Sequence, residues 1–202
     1  MDNRDEWLKQ RLGKVTASRI ADLMAKTKSG YSTSRDNYMA QLIVERMTGV
    51  VQESYTNAAM QWGVDNEPNA AAAYEFESGN KCELSDFVDH PSIPMCGASP
   101  DRTVGDDGLV EMKCPNTATH INTLLGDGID KKYILQMQWQ MECTGRQWCD
   151  FVSYDPRMPP ELSIKIQRVN RDDDLIDEIK QEVISFLKEV DEKVKQLEEL
   201  GQ

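Results

Sequence analysis

The sequence is short of the residues from which many functional sites are built. Its 202 residues include only two histidines, His90 and His120, too few for a His-rich metal centre. The five cysteines (Cys82, Cys96, Cys114, Cys143 and Cys149) are odd in number and form no C-x-x-C pair. That excludes a paired disulfide framework and a structural zinc site, and it predicts free thiols in a reducing compartment. No run reaches the roughly 18–20 apolar residues of a membrane span. The opening MDNRDEWLKQ lacks the apolar stretch of a signal peptide. A soluble intracellular protein with no membrane partner is the expectation. No repeat, low-complexity stretch or Gly/Ser/Pro linker divides the chain, so residues 1–202 read as a single domain.

Positive charge is also scarce. There are 23 Lys and Arg against 35 Asp and Glu, a formal net charge of −12, which argues at first sight against a polyanionic partner. The distribution reverses that reading. Residues 9–35 contain Lys9, Arg11, Lys14, Arg19, Lys26, Lys28 and Arg35 against Asp22 alone. This basic segment predicts a local anion-binding surface on an acidic body. What is present is otherwise ordinary. Apolar residues make up 39%, enough for one sizeable core and too many for a disordered chain.

Patterning predicts a mixed α/β (α+β) sheet flanked by helices. Thr16 and Ser18 suit the start of a short helix running to about Lys26, and KTKSGYSTS reads as a loop. Ser34 is positioned to cap a helix carrying Tyr38, Leu42, Val44 and Met47, with Gly49 as its stop. Asn57 to Ser78 is Ala-rich and helix-favouring, with Pro68 predicting a kink or restart. From Lys81 to Pro115, short alternating runs broken by Gly, Pro and Asp-Asp-Gly predict three strands. Lys131 to Thr144 reads as a compact helix, and Gln147–Tyr154 and Leu162–Val169 as strands. A long amphipathic helix follows at about 172–200, with Ile176, Ile179, Val183, Phe186, Val190, Val194 and Leu197 as its stripe. Trp139, Trp148 and Cys114 are expected in the core and His120 at the surface.

The chemistry concentrates in Ser99-Pro100-Asp101 and Glu111-Met112-Lys113. A turn at Gly105–Gly108 would fold Asp101 back beside the second segment. Glu111 and Lys113, two apart on a strand, point to one face. Two carboxylates beside a lysine suit a hard cation such as Mg²⁺ with an adjacent positive charge. Lys113 is placed to orient or deprotonate a water, or to stabilise developing charge. The backbone carbonyl of Met112 would face the other way, and becomes a further candidate oxygen ligand if the strand twists. Leu109, Val110 and Met112 make the strand apolar, so charges within it need a reason.

The pattern P-D-x₉-E-x-K is that of the PD-(D/E)xK nuclease superfamily, and the resemblance is narrower still. The stretches W-x-x-x-R-L-G-x-x-T-A-S (Trp7 to Ser18), W-G-x-x-x-E (Trp62 to Glu67), S-P-D (99–101), E-x-K-C-P (111–115), Q-x-Q (136–138) and Y-D-P-R-M (154–158) occur in order. In these the chain resembles the phage lambda exonuclease family, the phage-type alkaline exonucleases that include YqaJ-like viral recombinases. The resemblance runs over nearly the whole chain and implies a restriction-endonuclease-like core.

It further implies that Asp101 and Glu111 hold metal, that Lys113 is the catalytic lysine, and that Glu67 is a further metal-site carboxylate. Gln136 would approach the site from the Q-x-Q helix, with Tyr133 on the same face. Arg11, Ser18 and Ser99 would form a 5′-phosphate pocket, a sensible donor set for a phosphate. Lys28 stands where the family places a loop arginine that enters DNA, and Met60 where a leucine wedges the strands apart. The implied activity is 5′→3′ degradation of the 5′-phosphorylated strand of duplex DNA to mononucleotides, with two Mg²⁺ ions per site and Mn²⁺ as a possible substitute. A homotrimeric ring, a single-strand annealing partner and action in the cytoplasm of a bacterial host, from a phage or prophage gene, come with it. The acidic tail helix is one candidate docking face. Two alternatives stay open: an endonuclease of the same superfamily, and a non-catalytic DNA-end-binding protein.

Overall fold

The computed structural model describes residues 3–52, 57–126 and 128–201. The chain opens with α1 (Asn3–Arg11), the short strand β1 (Val15–Thr16), a 3₁₀ turn (Ala17–Arg19) and α2 (Ile20–Met24). A hairpin follows, β2 (Lys26–Thr27) and β3 (Gly30–Tyr31), then α3 (Thr33–Thr48) and α4 (Ala58–Ser78). Five short strands come next: β4 (Glu83–Leu84), β5 (Val88–Asp89), β6 (Cys96–Ala98), β7 (Arg102–Val104) and β8 (Gly108–Lys113). The remainder is α5 (Thr117–Leu125), α6 (Lys131–Thr144), β9 (Trp148–Tyr154), β10 (Ile164–Asn170) and α7 (Asp173–Leu200).

Strands β10-β9-β8-β7-β4 form a five-stranded sheet in that order, and β1-β6-β5 a smaller one. The mixed α/β expectation holds. Strand β8 takes a central place, pairing antiparallel with β7 and parallel with β9. Alternation along β8 divides its side chains between two helices. Val110 and Met112 pack with Ala70 and Tyr74 of α4. Leu109 packs with Met137 and Met141 of α6. Glu111 shares the Leu109 face and is fully buried there. A third cluster joins α2, α3, α6 and α7 through Leu23, Tyr38, Leu42, Trp139, Val183 and Phe186.

Several expectations are corrected. The predicted three strands are five, split between two sheets. The KTKSGYSTS loop contains the β2–β3 hairpin. The cap of α3 falls at Ser32, whose carbonyl accepts from Arg35 N–H at 3.1 Å, rather than at Ser34. Val44 and Met47 of that helix face solvent, and so does Leu197 at the end of the α7 stripe. Helix α4 runs as one element through Pro68, which removes the restart from the expected kink or restart. Leu162 lies in a 3₁₀ turn ahead of β10. His120 is fully buried rather than at the surface, because α5 carries it inward. Its Nδ1 lies 2.8 Å from Ser153 Oγ and its Nε2 donates 2.9 Å to the Leu162 carbonyl. Trp139 is buried as expected, while Trp148 and Cys114 are half-buried against the α4 side of the sheet.

Candidate active site and neighbouring anion pocket

The site forms where β7 runs out before β8 does. The last pair of their ladder is Arg102 with Val110, so Glu111 to Lys113 pair only with β9. Asp101, one residue before β7, folds over the uncovered edge and its Oδ2 accepts the Met112 N–H at 2.7 Å. The N–H and C=O of one strand residue point to the same edge. The Met112 carbonyl therefore faces the Asp101 side as well.

Glu111 is held from α6. Its Oε1 accepts from Lys113 Nζ at 2.5 Å and from Gln136 Nε2 at 2.7 Å, and its Oε2 accepts from Gln140 Nε2 at 2.7 Å. Gln138, the second glutamine of the Q-x-Q motif, points the other way, bonding Asn170 O and Asp172 N–H at 2.9 Å. Residues two apart on a helix do not share a face, whereas those four apart do. Tyr133 lies with its ring centroid 5.1 Å from Lys113 Nζ.

A cavity of about 500 Å³ is lined by Met60, Glu67, Asp101, Met112, Lys113 and Tyr133 among others. Burial, then the neighbouring Glu111, push the Asp101 carboxyl up to about 8. Burial would lower the Lys113 ammonium, but Glu111 and Asp101 override it and raise its pKa. Lys113 is thus a fixed cation between two carboxylates. Glu67 enters the cavity from α4, but its Oε1 is bonded at 2.8 Å by Arg102, which also donates 2.7 Å to the Asp101 carbonyl. Among the described residues no group of three or more His, Cys, Asp or Glu side chains is set to enclose a metal ion. The fit is to a cation that keeps open positions. Two crowded carboxylates and a carbonyl match how Mg²⁺ is held, by one or two carboxylates together with water and substrate phosphate.

Met60, half-exposed near the start of α4, is shared with a second cavity of about 370 Å³ lined by Trp7, Arg11, Lys14, Thr16, Ser18 and Arg19 among others. Arg11 lies 4.1 Å over the Trp7 ring and donates 3.2 Å to Ser99 Oγ. Desolvation pulls the Arg11 guanidinium below its ordinary value. Gly13 shapes the turn behind it, with φ of 66° and its N–H on Glu45 Oε2 at 2.9 Å. The structure thus brings Arg11, Ser18 and Ser99 together beside the carboxylate cavity. Lys28 stands apart at the tip of the β2–β3 hairpin.

Sequence reasoning missed Arg102, next to Asp101, and Gln140, one helical turn beyond Gln136. It also missed the bracing by Trp62 and Arg157. The Arg157 guanidinium sits 4.5 Å over the Trp62 ring, and donates 2.7 Å to Asp155 and 3.1 Å to the Pro115 carbonyl. Two of the motifs, W-G and Y-D-P-R-M, are thereby explained as one brace behind Lys113.

The YqaJ-like viral recombinase domain matches residues 6–147. An alkaline exonuclease from Laribacter hongkongensis (LHK-Exo) superposes with a TM-score of 0.91 at 50% identity, over 98% of this chain and 97% of that one. Its complex with dAMP gives 0.92 at 51% over the same shares. A phage-related exonuclease from Haemophilus somnus 129PT shares the fold at 0.72 and 15% identity, covering 91% and 96%. The curated proteins give no match. With the PD-(D/E)xK core in place, the chain belongs to the YqaJ-like viral recombinase family, among the phage-type exonucleases.

Proposed function

We propose that the protein is a divalent-metal-dependent deoxyribonuclease that degrades the 5′-phosphorylated strand of duplex DNA from its end, 5′→3′, to mononucleotides. The observation that carries this is the adjacency of two cavities sharing Met60, one lined by Asp101 and by Lys113, which is bonded to the buried Glu111, the other by Arg11 and Ser18. The relative crystallised with dAMP, a nucleoside monophosphate, is in keeping with that product.

Asp101, Glu111 and the Met112 carbonyl would hold Mg²⁺, or Mn²⁺ in its place, with Glu67 serving a second ion once released from Arg102. When bound, the cations supply charge neutralisation at the phosphate and activation of water. Lys113 sets a positive charge where negative charge builds on the phosphoryl oxygens. Gln136 orients Glu111, and Tyr133 walls the site beside Lys113. Arg11, Ser18 and Ser99 bind the terminal 5′-phosphate and so select the strand. Met60 stands between the two sites as an apolar wedge, and Lys28 contacts the duplex from its hairpin. The wider setting proposed is a single nuclease domain acting as a homotrimeric ring beside a single-strand annealing protein, in the cytoplasm of a bacterial host, on 3′ single strands made for recombination. No described helix is long and apolar enough to cross a membrane.

Linear duplexes with 5′-phosphate or 5′-hydroxyl ends, and covalently closed circles, test this with Mg²⁺ or EDTA. The expected result is Mg²⁺-dependent loss of the 5′-phosphorylated strand and intact circles. Cut circles would favour the endonuclease reading, and end binding without digestion the non-catalytic one.

A further inference from the structure

We propose that a third cavity, joined to the active site at Lys113, receives the strand that is kept after cleavage, with Lys132 on the first phosphate 3′ of the scissile one. This rests on the nuclease reading above. The cavity, of about 360 Å³, lies between α5 and the start of α6 and is lined by Lys113, Thr119, Asn122, Thr123, Lys132 and Tyr133 among others. It shares Lys113, Pro115 and Tyr133 with the active-site cavity, which in turn shares Met60 with the Arg11 pocket. The third cavity and the Arg11 pocket have no lining residue in common. The active-site cavity is therefore the middle one of three.

That order matches what a 5′→3′ exonuclease must hold. A strand with its 5′-phosphate at Arg11 and its first linkage at Lys113 has to continue away from the Arg11 pocket, and the third cavity adjoins the active site at Lys113. Thr119, Thr123 and Asn122 offer hydroxyls and an amide to sugar and phosphate oxygens. Lys132 and Lys113 both approach the Tyr133 ring, with Nζ 4.8 and 5.1 Å from its centroid. One ring thus keeps the cation assigned to the scissile phosphate close to a second cation. The Lys132 side chain is half-exposed. Its paired acid, Asp130, lies 3.6 Å from Nζ and accepts the Lys132 backbone N–H on Oδ1 at 2.9 Å. The ammonium so keeps donors for a phosphate, which lysine binds as a point charge. The path also continues. Lys132 lines a fourth cavity, of about 460 Å³, with Met24, Lys26, Lys131 and Leu135 among others. Lys26 begins β2, so this cavity lies at the root of the hairpin whose tip carries Lys28.

The experiment follows release of the first nucleotide from a 5′-phosphorylated duplex in Mg²⁺. One phosphate of that strand, either the first or the fourth 3′ of the scissile one, is replaced by a neutral methylphosphonate. Wild type, Lys132→Gln, Lys132→Arg and Lys188→Gln are compared, Lys188 being exposed on α7. A solvent-exposed ion pair is worth up to about fivefold. In wild type, neutralising the first phosphate should lower kcat/KM by about three- to fivefold, chiefly through KM, and neutralising the fourth should not. Lys132→Gln should show that loss already on native DNA and lose nothing further at the first position. Lys132→Arg should regain the sensitivity, and Lys188→Gln should match wild type. Lys132→Gln equal to wild type on native DNA overturns the proposal. So does a Lys132→Gln protein that still loses as much to the first methylphosphonate, or an equal loss from both positions. Release that is normal but indifferent to Lys132 removes the third cavity alone. No release of nucleotide by wild type from the native duplex overturns the nuclease reading, and the third cavity's role with it.

Discussion

Under the proposed function, Arg11 is the residue on which strand choice turns. Its guanidinium is stacked on Trp7 and bonded to Ser99, which leaves donors free to meet a terminal phosphate in a fixed orientation. Hydrogen bonds to a charged partner contribute about 1.5–3 kcal/mol. Arg11→Ala should therefore lower kcat/KM on 5′-phosphorylated ends by roughly 10–150-fold, with little change on 5′-hydroxyl ends. A preference left intact would remove Arg11 from the pocket. Asp155 shows the same chemistry used for stability. Burial would raise its carboxyl, but hydrogen bonds from Arg157 and Thr117 override this and hold it at about 2, against 3.8 for a free side chain. A depressed acid contributes stability above its unfolded pKa and loses it as pH falls through the folded one. The stability gap between wild type and Asp155→Asn, read by urea unfolding, should be full above about pH 4 and close towards pH 2.

At the scale of elements, α7 works as a strap whose acids are largely spoken for. Glu182 takes both Lys26 and Tyr31 of the β2–β3 hairpin, at 2.6 and 2.8 Å. Glu189 receives two guanidinium nitrogens of buried Arg35 at 2.8 and 3.0 Å, and Asp191 pairs with Arg46. Removing one partner strands a buried cation, and half-exposure of Glu189 tempers the cost. Glu189→Ala should destabilise by about 2 kcal/mol, measurable by urea unfolding, with nuclease activity retained in the folded fraction. The long elements were legible in the sequence: the α7 stripe, the α6 window and strand β9 all rest on sustained periodicity. The elements missed were those without it. Helix α1 is polar, α5 lies between two turn-like segments, and the two-residue strands β1 and β4 take their register from β6 and β7, far along the chain. The site divides along the same line. Asp101, Glu111 and Lys113 follow from spacing within one hairpin, whereas Arg102 on Glu67 and Arg157 on Trp62 join residues 35 and 95 positions apart, which no local pattern records.

Across the whole molecule, the net charge of −12 and a nucleic-acid substrate are reconciled by who pairs with whom. Of the basic segment at 9–35, Lys14, Arg19, Lys26 and Arg35 are tied to Asp89, Asp22, Glu182 and Glu189. Lys9, Arg11 and Lys28 form no ion pair among the described residues. The surface offered to DNA by this segment is thus a few cations. Each phosphate neutralised steepens the salt dependence of binding by close to one logarithmic unit. Duplex-end affinity should fall with log salt at a slope of about −2 to −4 per protomer, and Lys28→Ala should flatten it by about 1.

The most direct test of the account is the digestion of one linear duplex carrying a 5′-phosphate at one end and a 5′-hydroxyl at the other, each strand labelled, by wild type and Asp101→Ala in Mg²⁺. The account predicts that wild type releases mononucleotides from the 5′-phosphorylated strand and that Asp101→Ala, folded and still bound to the end, releases none. Equal digestion of both strands, or an Asp101→Ala protein as active as wild type, would contradict it.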